Sequence, residues 1–462
     1  MKRYIAVATI FGVSLVLVAV LARGSQNGNK QSRFLGSAET NSQELISQGR
    51  QTFRFDTFGD EAFWGGTLQL HQTINTLKPT DALALGLKVD SDALTPAQIM
   101  AIRQGNINLN NPAVTLQLIR QNAVLGVVGF FSNSRTLSSV GLTCAVCHST
   151  VDNSLAPGIG KRIDGLANRD LNVGAIVASA PNLQPVLDLL HLAPADASLT
   201  VADVRKVLNS WGPGKFDAEL FLDGKAFNPQ QITNGITTAT NVPGATLLPN
   251  ARGLPGHNLH TWTGGWGTVT YWNAFVAVNE LRGIGTFFDE RFDDATQFPI
   301  AAAAHLGHIS VDPDKDRVTS KLGALHFYQL ALPAVQPRPG IDFDPAAAMR
   351  GDELFSGKAN CNSCHHEPLW TEPGWNQHSA EEMKIDNFEA DRAPGHAYRT
   401  MNLAGIFVRE RGLFMFPQDK GRFYHDGRFA TLLDVVNSYN DRFSLGLSDQ
   451  EKHDLVEYLK SL

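Results

Sequence analysis

The sequence holds few cysteines and little charge. Only 4 of its 462 residues are Cys, 18% are charged, and the formal net charge is −6. This composition excludes a disulfide-stapled miniprotein, a collagen-like repeat and a disordered chain. Lys and Arg form no block, which argues against a nucleic-acid-binding surface. The length suits two or three ordinary globular domains.

Long hydrophobic runs are also scarce, since residues 5–22 are the one uncharged stretch that approaches the length of a membrane span. Lys2 and Arg3 precede it, and a polar segment follows. This order predicts an export signal, either cleaved after Ala22 or kept as an N-terminal anchor. In both cases we expect a periplasmic protein. Its only expected contact with the membrane is the N-terminal anchor, if the signal is not cleaved.

Motifs for several other chemistries are missing as well. The sequence contains no Gly-x-Gly-x-x-Gly nucleotide signature, no phosphate-binding loop and no recognisable Ser/His/Asp triad. It does contain two copies of the pattern C-x-x-C-H. Their residues are Cys144, Cys147 and His148, and Cys361, Cys364 and His365.

Each copy has the chemistry that attaches haem c. Two thiols at this spacing add to the two vinyl groups of one haem, and the following His donates a nitrogen to the iron. A zinc ribbon would place its cysteine pairs ~15 to 20 residues apart, whereas nearly half of the chain separates these pairs. We therefore predict two covalently attached haem c groups, which leaves no cysteine for a disulfide.

Proline density marks the clearest domain boundary. Residues 331–344 are rich in Pro, which fixes φ and lacks a backbone donor, so the segment suits an extended linker. It divides an N-terminal haem domain, 33–330, from a C-terminal cytochrome c domain, 345–462. Residues 1–32 form the signal or anchor and a polar linker.

Helix signals flank the second motif. Asp344 and Pro345 are suited to cap and start a helix, and Ser448-x-x-Glu451 is a capping box for a terminal helix. A helix, a C-x-x-C-H motif and an aromatic-bearing final helix are typical of the small all-helical cytochrome c domain.

A Gly-x-x-x-Phe sequence occurs twice, at 49–53 and 351–355. The second copy lies just before its haem motif, whereas the first lies far ahead. Either the likeness is accidental, or a segment too long for a bare loop is inserted in the first domain. Spacing of apolar residues predicts helices at 95–103, 112–124 and 200–210. The predicted fold class is mainly α, with two cytochrome c-like haem domains and long loop-rich insertions in the N-terminal half.

Three segments after the second motif carry a family resemblance. Residues 368–376, 398–405 and 423–440, the last reading F-Y-H-D-G-R-F-A-T-L-L-D-V-V-N-S-Y-N, resemble the electron-transferring half of bacterial dihaem cytochrome c peroxidases and their MauG-type relatives. The resemblance spans about residues 344–462. The longer N-terminal part is similar to larger relatives that include dihaem rubber oxygenases.

This resemblance implies an oxidoreductase whose N-terminal haem reacts with peroxide or oxygen. The C-terminal haem would relay electrons from a redox partner protein or a small electron donor. A dihaem electron carrier without a substrate and an oxygenase for a bulky organic substrate remain alternatives. No residue is assigned a catalytic role from the sequence.

The sixth ligand of the second iron separates these functions, because an iron with protein ligands on both faces transfers electrons. The resemblance implies Tyr439 at that position, where MauG-type enzymes have Tyr and peroxidases have Met. The alternative is that Tyr439 is a core aromatic. Met401 and Met415 are rival ligands, although both suit packing.

Histidines are the candidate distal ligands for the first haem. They are His71, His191, His257, His260, His305, His308 and His326. Close behind His257 and His260 come four large aromatics, which predict either a wall between the two haems or an aromatic core. They are Trp262, Trp266, Tyr271 and Trp272.

Two further polar features have simple interpretations. Asp312-x-Asp314-x-Asp316 resembles the first half of a calcium loop, but it lacks the Gly and the final Glu, so a solvated turn is favoured over a Ca²⁺ site. His366, beside the predicted ligand His365, is expected to face solvent.

Overall fold

The structure, a computed structural model, describes residues 37–133, 136–194, 197–225 and 244–462. The predicted export signal at 5–22 lies outside these residues. Within the described ranges, no helix combines the length and the apolar character needed to cross a bilayer.

The fold is mainly α-helical, and most helices are short. The α-helices are α1 Ala38–Phe55, α2 Leu70–Ile74, α3 Pro79–Ala84, α4 Pro96–Arg103, α5 Pro112–Arg120, α6 Ala145–His148, α7 Val173–Ala178, α8 Gln184–Leu190, α9 Val201–Ser210, α10 Val269–Phe275, α11 Pro299–Ala303, α12 Leu322–Ala331, α13 Pro345–Ser356, α14 Ala380–Met383, α15 Phe388–Arg392, α16 Phe407–Arg411, α17 Leu432–Phe443 and α18 Asp449–Ser461. Two π-helical turns lie at Ala62–Thr67 and Val276–Glu280.

The described strands form two-stranded sheets only. The strands are β1 Val89–Asp90, β2 Val127–Phe131, β3 Leu137–Leu142, β4 Ser149–Val151, β5 Ile159–Gly160, β6 Arg162–Asp164, β7 Lys215–Phe216, β8 Thr246–Leu247, β9 Phe287–Phe288 and β10 His308–Ile309. β1 pairs with β5 in parallel, and the other pairs, β2 with β3, β4 with β6, β7 with β8 and β9 with β10, are antiparallel. The prediction of loops with little sheet is confirmed for the described residues.

The predicted helix starts agree with the structure, those at Asp344 and Ser448 from capping signals and those at Thr95 and Thr200 from apolar spacing. Thr95, Thr200 and Ser448 each close a capping box at the start of α4, α9 and α18, and Asp344 accepts from two backbone amides at the start of α13. The helix predicted at 112–124 ends earlier, at Arg120. The chain turns at Asn122, whose φ of 52° is left-handed and cannot continue a helix.

The two Gly-x-x-x-Phe sequences occupy equivalent places on two helix pairs. In α1, a Cβ on Gly49 would lie 2.0 Å from the Ala324 carbonyl oxygen of α12. Phe53 of the same helix packs edge-on against Tyr328, with ring centroids 5.6 Å apart. Only glycine lets the two backbones approach this closely.

The second pair repeats this geometry. A Cβ on Gly351 in α13 would lie 2.1 Å from the Asp454 carbonyl oxygen of α18. Phe355 packs against Tyr458, with centroids 5.0 Å apart. The sequence repeat is therefore also a structural one, and the region between α1 and the first motif contains helices and strands of its own, not a bare loop.

Each helix pair packs in a different hydrophobic core. The larger core draws on residues from Phe53 to Tyr328 and includes the side chains that surround the first motif. The smaller core joins α13, α17 and α18, with Phe355, Leu432 and Leu455 among its buried residues.

Candidate functional site

The first motif presents a buried histidine in a fixed orientation. His148 ends α6, and its Nδ1 lies 3.0 Å from the Pro249 carbonyl oxygen. A carbonyl only accepts, so Nδ1 carries the hydrogen and Nε2 keeps a lone pair. Burial, aided by nearby Arg169, lowers the pKa of His148 to about 4, which keeps the imidazole neutral. A neutral imidazole held through Nδ1 is the usual form of an iron ligand.

An apolar cavity of about 180 Å³ lies next to this motif. Cys144, Cys147 and His148 line it, together with aliphatic and aromatic side chains from before and after the motif. Glu280 is the one carboxyl group among the described lining residues. No Met, Tyr or Lys and no second His belongs to that lining, so, apart from the motif cysteines, His148 is the one strong iron ligand among the described residues around the cavity.

Glu280 is a functional candidate that the sequence analysis missed. It ends the π-helical turn Val276–Glu280, and burial, followed by the charges of Glu219 and Asp217, raises its pKa to about 8. The carboxyl group is therefore mainly protonated at neutral pH. The sequence did offer a signal for it. Glu280 is an acidic residue in a largely apolar stretch that follows the four large aromatics.

The candidate distal histidines do not line this cavity. His191, His305 and His308 are exposed, and His326 bonds to Thr270. His71 lies in α2 outside the lining. His257 and His260 lie instead between the two motifs.

The four predicted aromatics divide between two roles. Trp272 packs edge-on against His148, with ring centroids 5.2 Å apart. Trp266 stacks on Phe275 at 5.0 Å within an aromatic core. Tyr271 packs on Phe287 and donates to Asp289, and Trp262 donates to the Leu247 carbonyl. Aromatic packing therefore accounts for Trp266 and Tyr271, and a wall between the two haems stays a prediction for Trp272.

A chain of side chains connects the two motifs. His260 stacks on Trp272 at 6.2 Å, and His257 follows at 6.4 Å. His257 Nε2 lies 3.4 Å from the carbonyl oxygen of Leu369, which is bonded to Trp370. Trp370 ends the path beside the second motif, because its carbonyl oxygen contacts His365.

The second motif repeats the histidine anchor of the first. His365 Nδ1 lies 3.0 Å from the Trp370 carbonyl oxygen, and burial lowers the pKa of His365. The four motif cysteines form no disulfide in the structure. His366 is exposed, as predicted.

Tyr439 lies near the second motif. Its ring stacks on Phe443 at 5.9 Å and under the Arg442 guanidinium, 4.5 Å from its centroid. Burial raises the pKa of the Tyr439 phenol, and Tyr424 and Cys361 add to the effect. The assignment of Tyr439 as a ligand stays a prediction.

The two methionines differ in their surroundings. Met415 packs with Leu166, Phe407 and Val408 in a separate small cluster, away from the core that contacts Cys361. The backbone of Met401 lies close to His365. Packing therefore accounts for Met415.

The acidic turn has no free calcium-binding geometry. Asp316 accepts from the backbone amides of Thr286, Val318 and Thr319, and Asp312 pairs with Lys315. These contacts use the carboxylates as turn caps, as the solvated-turn interpretation expects.

The helical fold, the paired motifs and the anchored histidines are typical of a c-type cytochrome. No protein-family profile matches the chain. Cytochrome-c peroxidase IdrP1 of Denitromonas iodatirespirans is 30% identical over 198 residues, which cover 32% of this chain and 51% of that protein. The predicted resemblance to cytochrome c peroxidases is confirmed, and it implies haem c as cofactor. The chain spans only about half the length of this relative.

Two solved structures show distant likeness. Hydrazine synthase of Kuenenia stuttgartiensis, pressurised with xenon, is 18% identical with a TM-score of 0.27, covering 50% of this chain and 79% of that one. A MauG-like protein associated with microbial copper homeostasis is 18% identical with a TM-score of 0.29, covering 61% and 87%. Both likenesses are too distant to bear on function.

Proposed function

We propose that the protein is an exported, periplasmic dihaem c-type cytochrome with peroxidase-like activity. One haem is attached by Cys144 and Cys147 with His148 as iron ligand, and the other by Cys361 and Cys364 with His365. Two cytochrome c domains, joined by the linker at 331–344, hold them. The repeated helix pair and the repeated histidine anchor support this assignment.

The observation that carries the proposal is the lining of the first cavity. An iron with an open face can bind peroxide or oxygen, whereas one with two protein ligands transfers electrons. Apart from the motif itself, the described lining offers Glu280 and otherwise apolar or hydroxyl side chains. The N-terminal haem is therefore the reactive one.

The chain's own residues supply binding, orientation and a proton. His148 holds the iron at a fixed orientation through its Nδ1 bond, and the apolar walls exclude bulk water. Bound haem supplies the redox chemistry that turns hydrogen peroxide, two electrons and two protons into two waters. Glu280 holds a proton at its carboxyl group and can donate it to a ligand in the cavity, as a general acid with a raised pKa does.

Electrons enter at the second motif from a redox partner protein or a small donor. Tyr439 is the proposed second ligand there, where an anionic oxygen would favour the oxidised iron. The ring sequence His257, His260 and Trp272 gives a short route from the Leu369–Trp370 backbone to His148.

Stoichiometric hydrogen peroxide tests the proposal. We expect the Soret band of the N-terminal haem to shift within seconds of mixing, and a chemically reduced protein to be reoxidised. Two haems that stay unchanged in peroxide would establish the electron-carrier function instead.

A further inference from the structure

A second, smaller cavity of about 60 Å³ adjoins the first. Glu280 and His148 line both cavities. The smaller cavity adds two more carboxyl groups, Glu219 from the N-terminal half and Glu389 from α15, and the indoles of Trp262 and Trp266. Three glutamates thus line one cavity.

These glutamates have too few partners for three ionised groups. Glu219 and Glu389 are 1% and 4% exposed. Glu219 Oε1 accepts from Trp266 Nε1 at 3.2 Å, but Glu219 Oε2 and Glu389 Oε2 are buried and have no hydrogen-bond partner among the described residues. An isolated buried carboxylate costs far more than its protonated form.

The neighbouring charges lead to the same conclusion. Two cations lie beside this cluster. The Arg392 guanidinium bonds to Asp217 at 2.7 Å and to Asp223 at 2.9 Å, and Lys225 Nζ lies 4.0 Å from Asp223. Both cations pair with these two aspartates, and among the described residues no ion pair reaches Glu219, Glu280 or Glu389. Burial raises the pKa of Glu219 and of Glu389, against the opposing effect of Arg392.

We propose that Glu219 and Glu389 form a buried proton store that resupplies Glu280. After Glu280 gives its proton to a ligand in the first cavity, the carboxylate left behind takes a proton from the store across the second cavity. The transfer moves one proton and no electrons, and solvent later refills the store. This inference rests on the proposed peroxidase-like function.

Infrared spectra of the haem-loaded protein at neutral pH test the store directly. A protonated carboxyl group has a C=O stretch that is separate from the carboxylate bands and shifts in D₂O. We expect Glu219→Gln and Glu389→Gln each to remove part of that band, and the exposed Glu353→Gln to leave it unchanged. Glutamine keeps the size of the side chain and adds no buried charge. A wild-type spectrum without the band, or a band untouched by both variants, would overturn the store.

Peroxide kinetics on the same samples separate the two proposals. We expect each store variant to slow the reaction about tenfold and to raise its solvent isotope effect, because proton supply becomes limiting. If the store variants keep the wild-type rate and isotope effect while Glu280→Gln is slow, the store is wrong and the peroxidase function stands. If the wild-type protein is inert to peroxide, the function fails and the supply role fails with it.

Discussion

The two halves of the molecule share a helix pair and a histidine anchor, but they surround their motifs differently. In the N-terminal half, the segment between α1 and α6 contributes walls to an apolar cavity, including Trp64 and Ile119. In the C-terminal half, α13 leads almost directly into the motif, which is partly exposed. Under the proposed function, the helix pair would position a haem, and the inserted segment would make one haem site reactive.

Removing one haem at a time should give the largest difference between the two halves. Cys144→Ala and Cys361→Ala should each lower the pyridine-haemochrome count from two to one, because each motif binds its own haem. The Cys144→Ala protein should also lose its peroxide reaction, whereas Cys361→Ala should keep a first reaction with peroxide. A count of two in either variant would contradict independent covalent attachment.

The peroxide reaction at the first site should depend on pH through Glu280. The acid is protonated below its pKa of about 8, so the wild-type peroxide rate should fall as pH rises through that value. Glu280→Gln should lower the rate at neutral pH about 100-fold and abolish this pH dependence. The exposed Glu290→Gln is the control, and a wild-type profile in Glu280→Gln would exclude the proton-donor role.

The helix pairs should respond alike to substitution. Gly49→Ala and Gly351→Ala each place a methyl against a backbone carbonyl, at 2.0 and 2.1 Å, and should lower the free energy of unfolding by about 2 kcal/mol. Gly323→Ala in α12 has nothing within 4 Å and is the matched control. It should leave stability equal or slightly higher, since Ala favours helix. Equal effects at all three positions in urea unfolding would refute close packing as the cause.

Tyr439 should affect only the second haem, and by the smallest amount. If its oxygen ligates iron, Tyr439→Phe should raise that haem's reduction potential and alter its low-spin EPR signal, because an anionic donor is lost. Met415→Ala should leave both unchanged, since Met415 packs elsewhere. An unaltered potential in Tyr439→Phe would make Tyr439 a core aromatic.

The sequence predicted local features such as helix caps, but it did not predict which side chains line the first cavity. The caps Thr95, Asp344 and Ser448 depend on residues a few positions away, so their helices were predicted closely. The cavity depends on side chains from distant segments, and no local pattern could assemble them. Glu280 therefore escaped notice, although its position in an apolar run was visible.

The repeated Gly-x-x-x-Phe sequence was likewise hard to interpret from local sequence alone. Gly49 and Phe53 carried only a weak likeness to Gly351 and Phe355, because the feature that gives the pattern meaning is a partner helix far along the chain. Tyr328 and Tyr458, the matching contacts on α12 and α18, become comparable only once the helices are packed.

EPR of the fully oxidised protein tests the central claim, that one haem site is open and the other closed. We expect one high-spin ferric signal and one low-spin signal in equal amounts, with the high-spin signal lost in Cys144→Ala and kept in Cys361→Ala. Two low-spin signals, or a high-spin signal that disappears with Cys361→Ala instead, would contradict the account.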